Sequence, residues 1–460
     1  MDLSRRIYPL DPRELTEEQL AVVFAMTSRN PQPFDEIAKV VSAEKAMDFH
    51  ERWVLNYGHA SVAEHAIIHM ALENISRLVC DTVEDNRLAS YTEKSSRYQV
   101  LDQGHYHVPR ELERHPLRNV YVDTCDFLFR AYQEAVDGVI EYLRRATPQN
   151  EGERDSSYSL RLRREATDVC RFLLPAATLT NVGMTLNARS MEHAIRKLFS
   201  SGLLEEQDLG EALKEQGRNI TPTLIKYADR NEYLALSRET QQDMAQSDVS
   251  GVSYDDCRAD LVHYDPQAES KLVAALLYRF SSSSYQDVWQ RAETMNPTQR
   301  EEVVHQALNR LGPHDIPLRE LEVVDYTFDL VMDYGAYREF KRHRMQTYIP
   351  QPATVDLGYI VPDLILDAGL EKPFREAMEI AAQGSHRISE ALPGVGEYLV
   401  THAHLRRVLS KVNLRECFHL FKLRTSPQAH FTLRRVMQHA LDLATKRHPL
   451  LFKYLRLRSE

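Results

Sequence analysis

Cysteine is scarce and scattered in this chain: Cys80, Cys125, Cys170, Cys257 and Cys417 are odd in number and form no Cys-x-x-Cys pair. That pattern argues against a disulfide scaffold and a structural zinc site, and it points to a reducing compartment. Apolar runs are short, and none reaches the length of a bilayer span. The opening Met1-Asp2-Leu3-Ser4-Arg5-Arg6-Ile7-Tyr8-Pro9 lacks the apolar centre of a signal peptide. Positive charge is not in excess either. The formal net charge is −10, which argues against a nucleic-acid binder held by backbone phosphates. A local basic pocket for one small phosphate remains compatible with it. Gly394-Val395-Gly396 lacks the third glycine and the preceding strand of a dinucleotide fingerprint. The expectation is a cytoplasmic protein with no membrane or nucleic-acid partner, long enough for two or three domains.

What the chain does have is an internal repeat with a period near half its length, the mark of a duplicated domain. Asp11-Pro12 opens one copy and Asp265-Pro266 the other. Helical apolar patterns follow in each (Leu20, Val23, Phe24; Leu272, Ala275, Leu276), then turns at Thr27-Ser28 and Phe280-Ser281. Gly58-His59 and Gly312-Pro313-His314 fall at matching distances further on. Ile68, Met70 and Leu72, against Phe328, Leu330 and Met332, alternate with period two and predict a strand in each copy. The helix after it reads Ile75, Leu78, Val79 in one copy and Tyr337, Phe340 in the other. Asp229 to Asp260 reads as a polar linker, and Val108 to Ser159 as an inserted helical hairpin in the first copy. The boundaries are therefore 1–235 for the first domain, with an insertion at about 110–158, and 255–460 for the second.

Two motifs recur in both copies. The first is Asp85-Asn86-Arg87 with Ser90, Glu93, Ser95, Arg97 and Tyr98; its counterpart is Arg342-His343-Arg344 with Thr347, Tyr348, Pro352, Thr354 and Val355. The second is Asn187, Arg189, His193 against Asn413, Arg415, His419. In the second motif the basic residues repeat at helical spacing and line one helix face. Such a stripe alone is most simply a solvated face, and an Arg-His-Arg triplet alone is an ordinary basic helix end. His65 and His69 sit four apart on what reads as a strand face, where satisfied interior histidines are the simpler account than a metal site. No metal is expected.

Laid over each other, the two copies of the first motif reconstruct Arg-His-Arg-x-x-Ser-x-x-x-x-Ser-x-Arg-Tyr. This resembles the signature of the flavin-dependent thymidylate synthases, split across a tandem duplication. The resemblance implies two α+β domains, each a twisted sheet with flanking helices. It implies FAD as cofactor, methylene-tetrahydrofolate and NADPH as co-substrates, and methylation of a uridylate-type nucleotide with no covalent enzyme nucleophile. By the same resemblance His59, Ser61 and Glu64, with Asn187, Arg189 and His193, fall on the flavin and folate side. Glu93, Ser95, Arg97 and Arg171 fall on the nucleotide side. In the second half Arg342, His343, Arg344, Asn413 and Arg415 match flavin-side positions, and Arg424 matches a substrate arginine. Arg97 and Arg424 are also placed to polarise the uracil carbonyls. The physical logic is that phosphate-rich ligands suit the bidentate fork of arginine.

The departures are sorted. The first half has Asp85-Asn86 for Arg-His and Leu198 for the late arginine; the second lacks the His-x-Ser-x-x-Glu-His segment around Pro317 to Glu322, the Ser-x-Arg-Tyr tail and the arginine before the proline, and has Glu339 for a glutamine. Random decay is not expected to sort so cleanly. One composite site is therefore expected, with Arg342, His343, Arg344 and Arg424 facing Glu93, Ser95, Arg97 and Arg171, in a chain that pairs into a homodimer mimicking the tetramer the resemblance implies. A nucleotide-binding pseudoenzyme, or an enzyme with a changed acceptor, are the competing readings.

Overall fold

The computed structural model describes residues 6–10, 13–55, 58–97, 99–245 and 252–458. Asp11, Pro12 and Tyr98 lie outside them. In the first half β1 (Ile67–Ser76), β2 (Ala89–Glu93) and β3 (Leu179–Asn187) form an antiparallel sheet in the order β1-β3-β2. In the second, β4 (Arg258–Tyr264), β5 (Asp325–Asp333), β6 (Thr347–Pro350) and β7 (Leu405–Asn413) run in the order β4-β5-β7-β6. The helices used below are α1 (Arg77–Val83), α2 (Arg118–Ala146), α3 (Asp155–Cys170), α4 (Ala188–Phe199), α5 (Glu232–Ala245), α6 (Tyr334–Phe340), α7 (Glu371–Ala391), α8 (Leu414–Arg424) and α9 (Phe431–Arg447). The chain is α+β, with two small sheets flanked by helices.

The strand pattern holds where period two was read: Ile68 and Leu72 are buried in β1, and Phe328, Leu330 and Met332 in β5. Each strand hands over to its helix at a capping residue. The Ser76 hydroxyl accepts from Val79 N before α1, and the Asp333 carboxylate accepts from Ala336 N before α6. Ile75 therefore lies in β1, one residue before its end, rather than opening the helix. His65 lies in a 3₁₀ turn, Ala60–His65, and stacks on Phe24 at 4.8 Å, so it does not share a strand face with His69. The Asp229–Asp260 stretch is not a plain linker, since it contains α5 and the start of β4. The Val108–Ser159 stretch holds α2 and the start of α3, and α2 packs along α7 of the other half.

The halves meet about a local two-fold axis. Pro175 stands four residues before β3 and Thr401 four before β7, and the two are bridged antiparallel. Around them Ala176 N donates to Val400 O at 2.8 Å, while His402 N donates to Leu174 O at 3.0 Å. Leu78, Tyr121 and Ala176 share one apolar cluster with Phe328, Tyr334 and Phe421; Leu128 and Phe172 share another with Phe374 and Leu405. At about 1.5–3 kcal/mol per large side chain buried, that joint core makes the halves one packed unit. Lys341 crosses the same interface fully buried, its Nζ 2.9 Å from both Asp81 Oδ1 and Glu84 Oε2. Among the described residues no helix is long and apolar enough to cross a membrane.

Candidate functional site

Glu93 closes β2, and its side chain, 2% exposed, points into the interface between halves. Arg77 of α1 reaches its Oε1 at 3.0 Å, Arg338 of α6 pairs with the same oxygen, and Arg342 approaches Oε2 at 3.7 Å. Arg338 lies on α6 and Arg342 in the turn just past its C-cap Lys341, and both guanidiniums approach the one carboxylate. Burial alone would raise the Glu93 pKa, but Arg338, Arg77, Lys341 and Arg342 outweigh it and hold the carboxyl well below its usual range. The arginines divide unequally. Burial, with Arg338 beside it, pushes Arg77 down to about 10, whereas Glu93 overcomes burial at Arg338 and pushes it up. One carboxylate cannot compensate two buried cations equally; both stay charged at neutral pH.

From Arg338 the contacts continue. Its Nη1 donates to His402 Nε2 at 3.1 Å, and His402 Nδ1 donates to Arg171 O at 3.0 Å. This fixes a neutral tautomer, consistent with a pKa driven far down by burial and by Arg338, Arg77 and Arg171. Arg171, at the end of α3, meets Asp168 Oδ1 at 3.0 Å, and Arg97 donates to Asp168 Oδ2 at 2.7 Å. Thr167 Oγ1 donates to Arg97 O at 2.9 Å, pinning the loop after β2 to the helix. Ser95 Oγ accepts from Arg97 N at 3.2 Å and its residue is exposed.

The other wall comes from α8. Arg424 Nε donates to His343 Nε2 at 2.8 Å and its guanidinium pairs with Glu339. Glu339 Oε2 also accepts from His430 N at 3.4 Å, and the His430 ring lies 4.0 Å from Asp168. Arg342 and Arg97 thus stand at the two ends of a polar network drawn from both halves, and the cavity of about 1030 Å³ that Arg97 lines does not include Arg342. His343 is spent on structure: Nδ1–H donates to Glu416 Oε1 at 2.9 Å, and burial with Arg424 takes its pKa down to about 3. His343, Glu416 and His419 lie within 4.8 Å of one another. Because Arg424 occupies Nε2, the proton sits on Nδ1, so no lone pair faces a metal there. Arg344 turns away and donates to Arg87 O at 2.9 Å.

The remaining flavin-side residues do not gather in one place. Glu64, Arg189 and His193 line a first-half cavity of about 850 Å³ that also holds Asp85, whose carboxylate lies 2.5 Å from Lys197. His59 and Ser61 flank it, His59 stacking on Trp53 and Ser61 within the 3₁₀ turn. Asn413, Arg415 and His419 line a second-half cavity of about 350 Å³ with apolar Ile316, Met345, Phe418 and Leu455. Asn187 and Asn413 serve as helix caps, accepting from Ser190 N and Glu416 N. Each Asn-x-Arg arginine holds a glutamate from the preceding 3₁₀ turn: Arg189 to Glu64 at 2.5 Å, Arg415 to Glu322 at 2.6 Å. Glu322 therefore survives from a segment that reads as lost in the sequence. Arg77, Arg338, Asp168 and His402 were not singled out by sequence. Helical spacing was the available signal, Arg338 four before Arg342 and Asp168 three before Arg171.

A family model described as thymidylate synthase complementing protein matches twice, over residues 13–223 and 260–450. A UPF0159 protein of Chlamydia muridarum is 33% identical over 424 residues, covering 87% of this chain and 78% of its own. A UPF0159 protein of Thermoplasma acidophilum is 29% identical and covers 89% and 88%. A flavin-dependent thymidylate synthase of Clostridium tetani is 26% identical, over 46% of this chain and 82% of its own. Among solved structures, the UMP/dUMP methylase PolB from Streptomyces cacaoi bound with 5-Br dUMP is 16% identical, with a TM-score of 0.37 over 45% of this chain and all of that one.

Proposed function

The chain belongs to the thymidylate synthase complementing protein family in two tandem copies, and from that premise we propose that it methylates a uridylate nucleotide reductively at one composite site between its halves. The reaction is dUMP to dTMP, with FAD as cofactor and methylene-tetrahydrofolate and NADPH as co-substrates. The observation that carries this reading is the network from Arg342 through Glu93 and Arg338 to Arg171, Asp168 and Arg97. It draws cations from both halves, which supports a phosphate site between them and fits the sorted motif decay. Related positions on the other side of the two-fold carry Asp85, Glu397 and Leu198 in place of three of these cations, which supports a single site.

The second-half cavity fits part of a flavin. Its apolar floor suits a planar ring, and the cations at its edge are Arg456 with Arg415 and Lys422, which Glu322 and Pro313 O already hold, beside the carboxylates of Asp315 and Glu416. When bound, the flavin supplies the hydride. The protein's own part is to hold and orient. Arg97 and Arg171, steadied by Asp168, bind phosphate; Arg424, steadied by His343, faces the base; the buried Glu93 fixes Arg342. The test is the absorbance spectrum of the purified chain followed by titration with dUMP. Bound flavin whose spectrum shifts on adding dUMP supports the reading. Arg342→Ala and Arg97→Ala should each abolish flavin or nucleotide binding, and wild-type behaviour in either refutes it.

A changed acceptor is favoured by one observation: Arg424 is already paired with Glu339 and buried. Flavin bound and reduced by NADPH, without turnover of dUMP, would select that reading; colourless protein would select a pseudoenzyme.

A further inference from the structure

The cavity of about 1030 Å³ runs between α3 of the first half and α9 of the second, beginning at Arg97 and Asp168. Arg161 and Arg164 line it from α3, Arg434, Arg435 and Gln438 from α9. Five arginines there face three carboxylates, Glu165, Asp168 and Asp363, in a chain whose formal net charge is −10. Part of this charge is spent: Arg97 on Asp168, Arg161 on Glu153 and Arg435 on Asp256. Arg434 is half-buried, lines the cleft, and makes no ion pair among the described residues. Spacing gives the cleft its direction. From Asp168 back to Ser157 is 11 residues of one helix, about 16 Å along its axis, with Arg164 and Arg161 on the way. The cleft therefore continues well beyond the place where Arg97 and Arg171 would hold a single phosphate.

Resting on the composite site proposed above in its changed-acceptor reading, we infer that its nucleotide carries anionic groups beyond one phosphate, as a uridine nucleoside di- or triphosphate does. The α3–α9 cleft is the binding site for that extension. Arginine forks spaced along two facing helices suit successive phosphate oxygens, and each added charge-assisted contact strengthens binding.

The experiment compares dUMP, dUDP and dUTP binding to the full chain by titration calorimetry, with EDTA present. In the wild type, dUTP is expected to bind at least about tenfold tighter than dUMP, the effect of one further charge-assisted contact. Arg434→Gln and Gln438→Glu, one helical turn apart on the cleft-lining face of α9, should each shrink that ratio to below about threefold. Raising ionic strength should shrink it as well. Equal wild-type affinities, or a ratio that survives both substitutions, overturns the extension while leaving the composite site standing. Tighter binding of an oligo-γ-glutamyl pterin than of any nucleotide polyphosphate, dependent on Arg434, also overturns it. Failure of all three nucleotides to bind removes the composite site itself.

Discussion

Replacing Glu93 with glutamine would leave two buried guanidiniums facing each other. Arg77 and Arg338 are 2% and 8% exposed and both pair with Glu93. Removing one partner of a buried pair costs about 3–5 kcal/mol, because the remaining charge keeps its desolvation penalty without compensation. Two apolar clusters run through both halves, so the chain is treated as one cooperative unit. For 460 residues, at about 2.1 cal/mol/K each, the unfolding entropy is roughly 1 kcal/mol/K. Glu93→Gln should therefore lower Tm by about 3–5 °C in differential scanning calorimetry. The control is Asp208→Asn, whose ion pair with Arg110 is 49–52% exposed; it should cost under about 1 kcal/mol, hence about 1 °C or less. In an Arg338→Met background the Glu93 substitution should cost less, by about 1–3 kcal/mol, since the two side chains share one network. A Glu93→Gln protein that melts within about 1 °C of wild type would refute the reasoning, because the interface would then not depend on that carboxylate.

Three further outcomes are expected. Burial lifts the Asp333 carboxyl to about 6 from an ordinary 3.8, so its folded pKa lies above the unfolded one. The stability tied to it is complete below about pH 4 and lost as pH rises through about 6, a difference of about 3 kcal/mol. Asp333→Asn keeps the helix cap and should gain stability at pH 8 but not at pH 4, measured by urea unfolding; a gap that does not change with pH would refute this. Gly358 has φ of +91°, and an added Cβ would overlap Tyr254 O, so Gly358→Ala should lower the urea midpoint by more than a surface substitution does. A midpoint shift equivalent to less than about 0.5 kcal/mol would contradict it. Asp85→Arg restores charge to the first triplet, but Glu397 and Leu198 still stand at the related positions. Equilibrium dialysis should find nucleotide stoichiometry unchanged at one per chain, and a value of two would overturn the one-site reading.

Much of the architecture was legible because it is written in short-range pattern. Period two marked β1 and β5, and the repeat of Asn187 and Asn413 located both helix starts, which each asparagine caps. The segment from Asp229 to Asp260 was misjudged because α5 is polar on most of its surface; only Ala235 is buried. The network around Glu93 was legible only in part. Glu93 and Arg338 are 245 residues apart, and nothing local distinguishes a buried arginine on a seven-residue helix from a solvated one. Glu322 was missed for a different reason. Its neighbours changed while the geometry it serves, an anchor for Arg415, stayed the same.

The interface lysine carries a consequence for how such a chain can be used. Lys341 and Glu84 are the residues just before the two aligned triplets, so they are the same position seen from either half. A symmetric homodimer must place identical residues there, two lysines or two glutamates, in a dry setting. Covalent fusion released that constraint and allowed opposite charges to settle on the axis. Cut apart, neither piece could recover its contacts by pairing with its own twin, so the join between them is irreversible in the evolutionary sense.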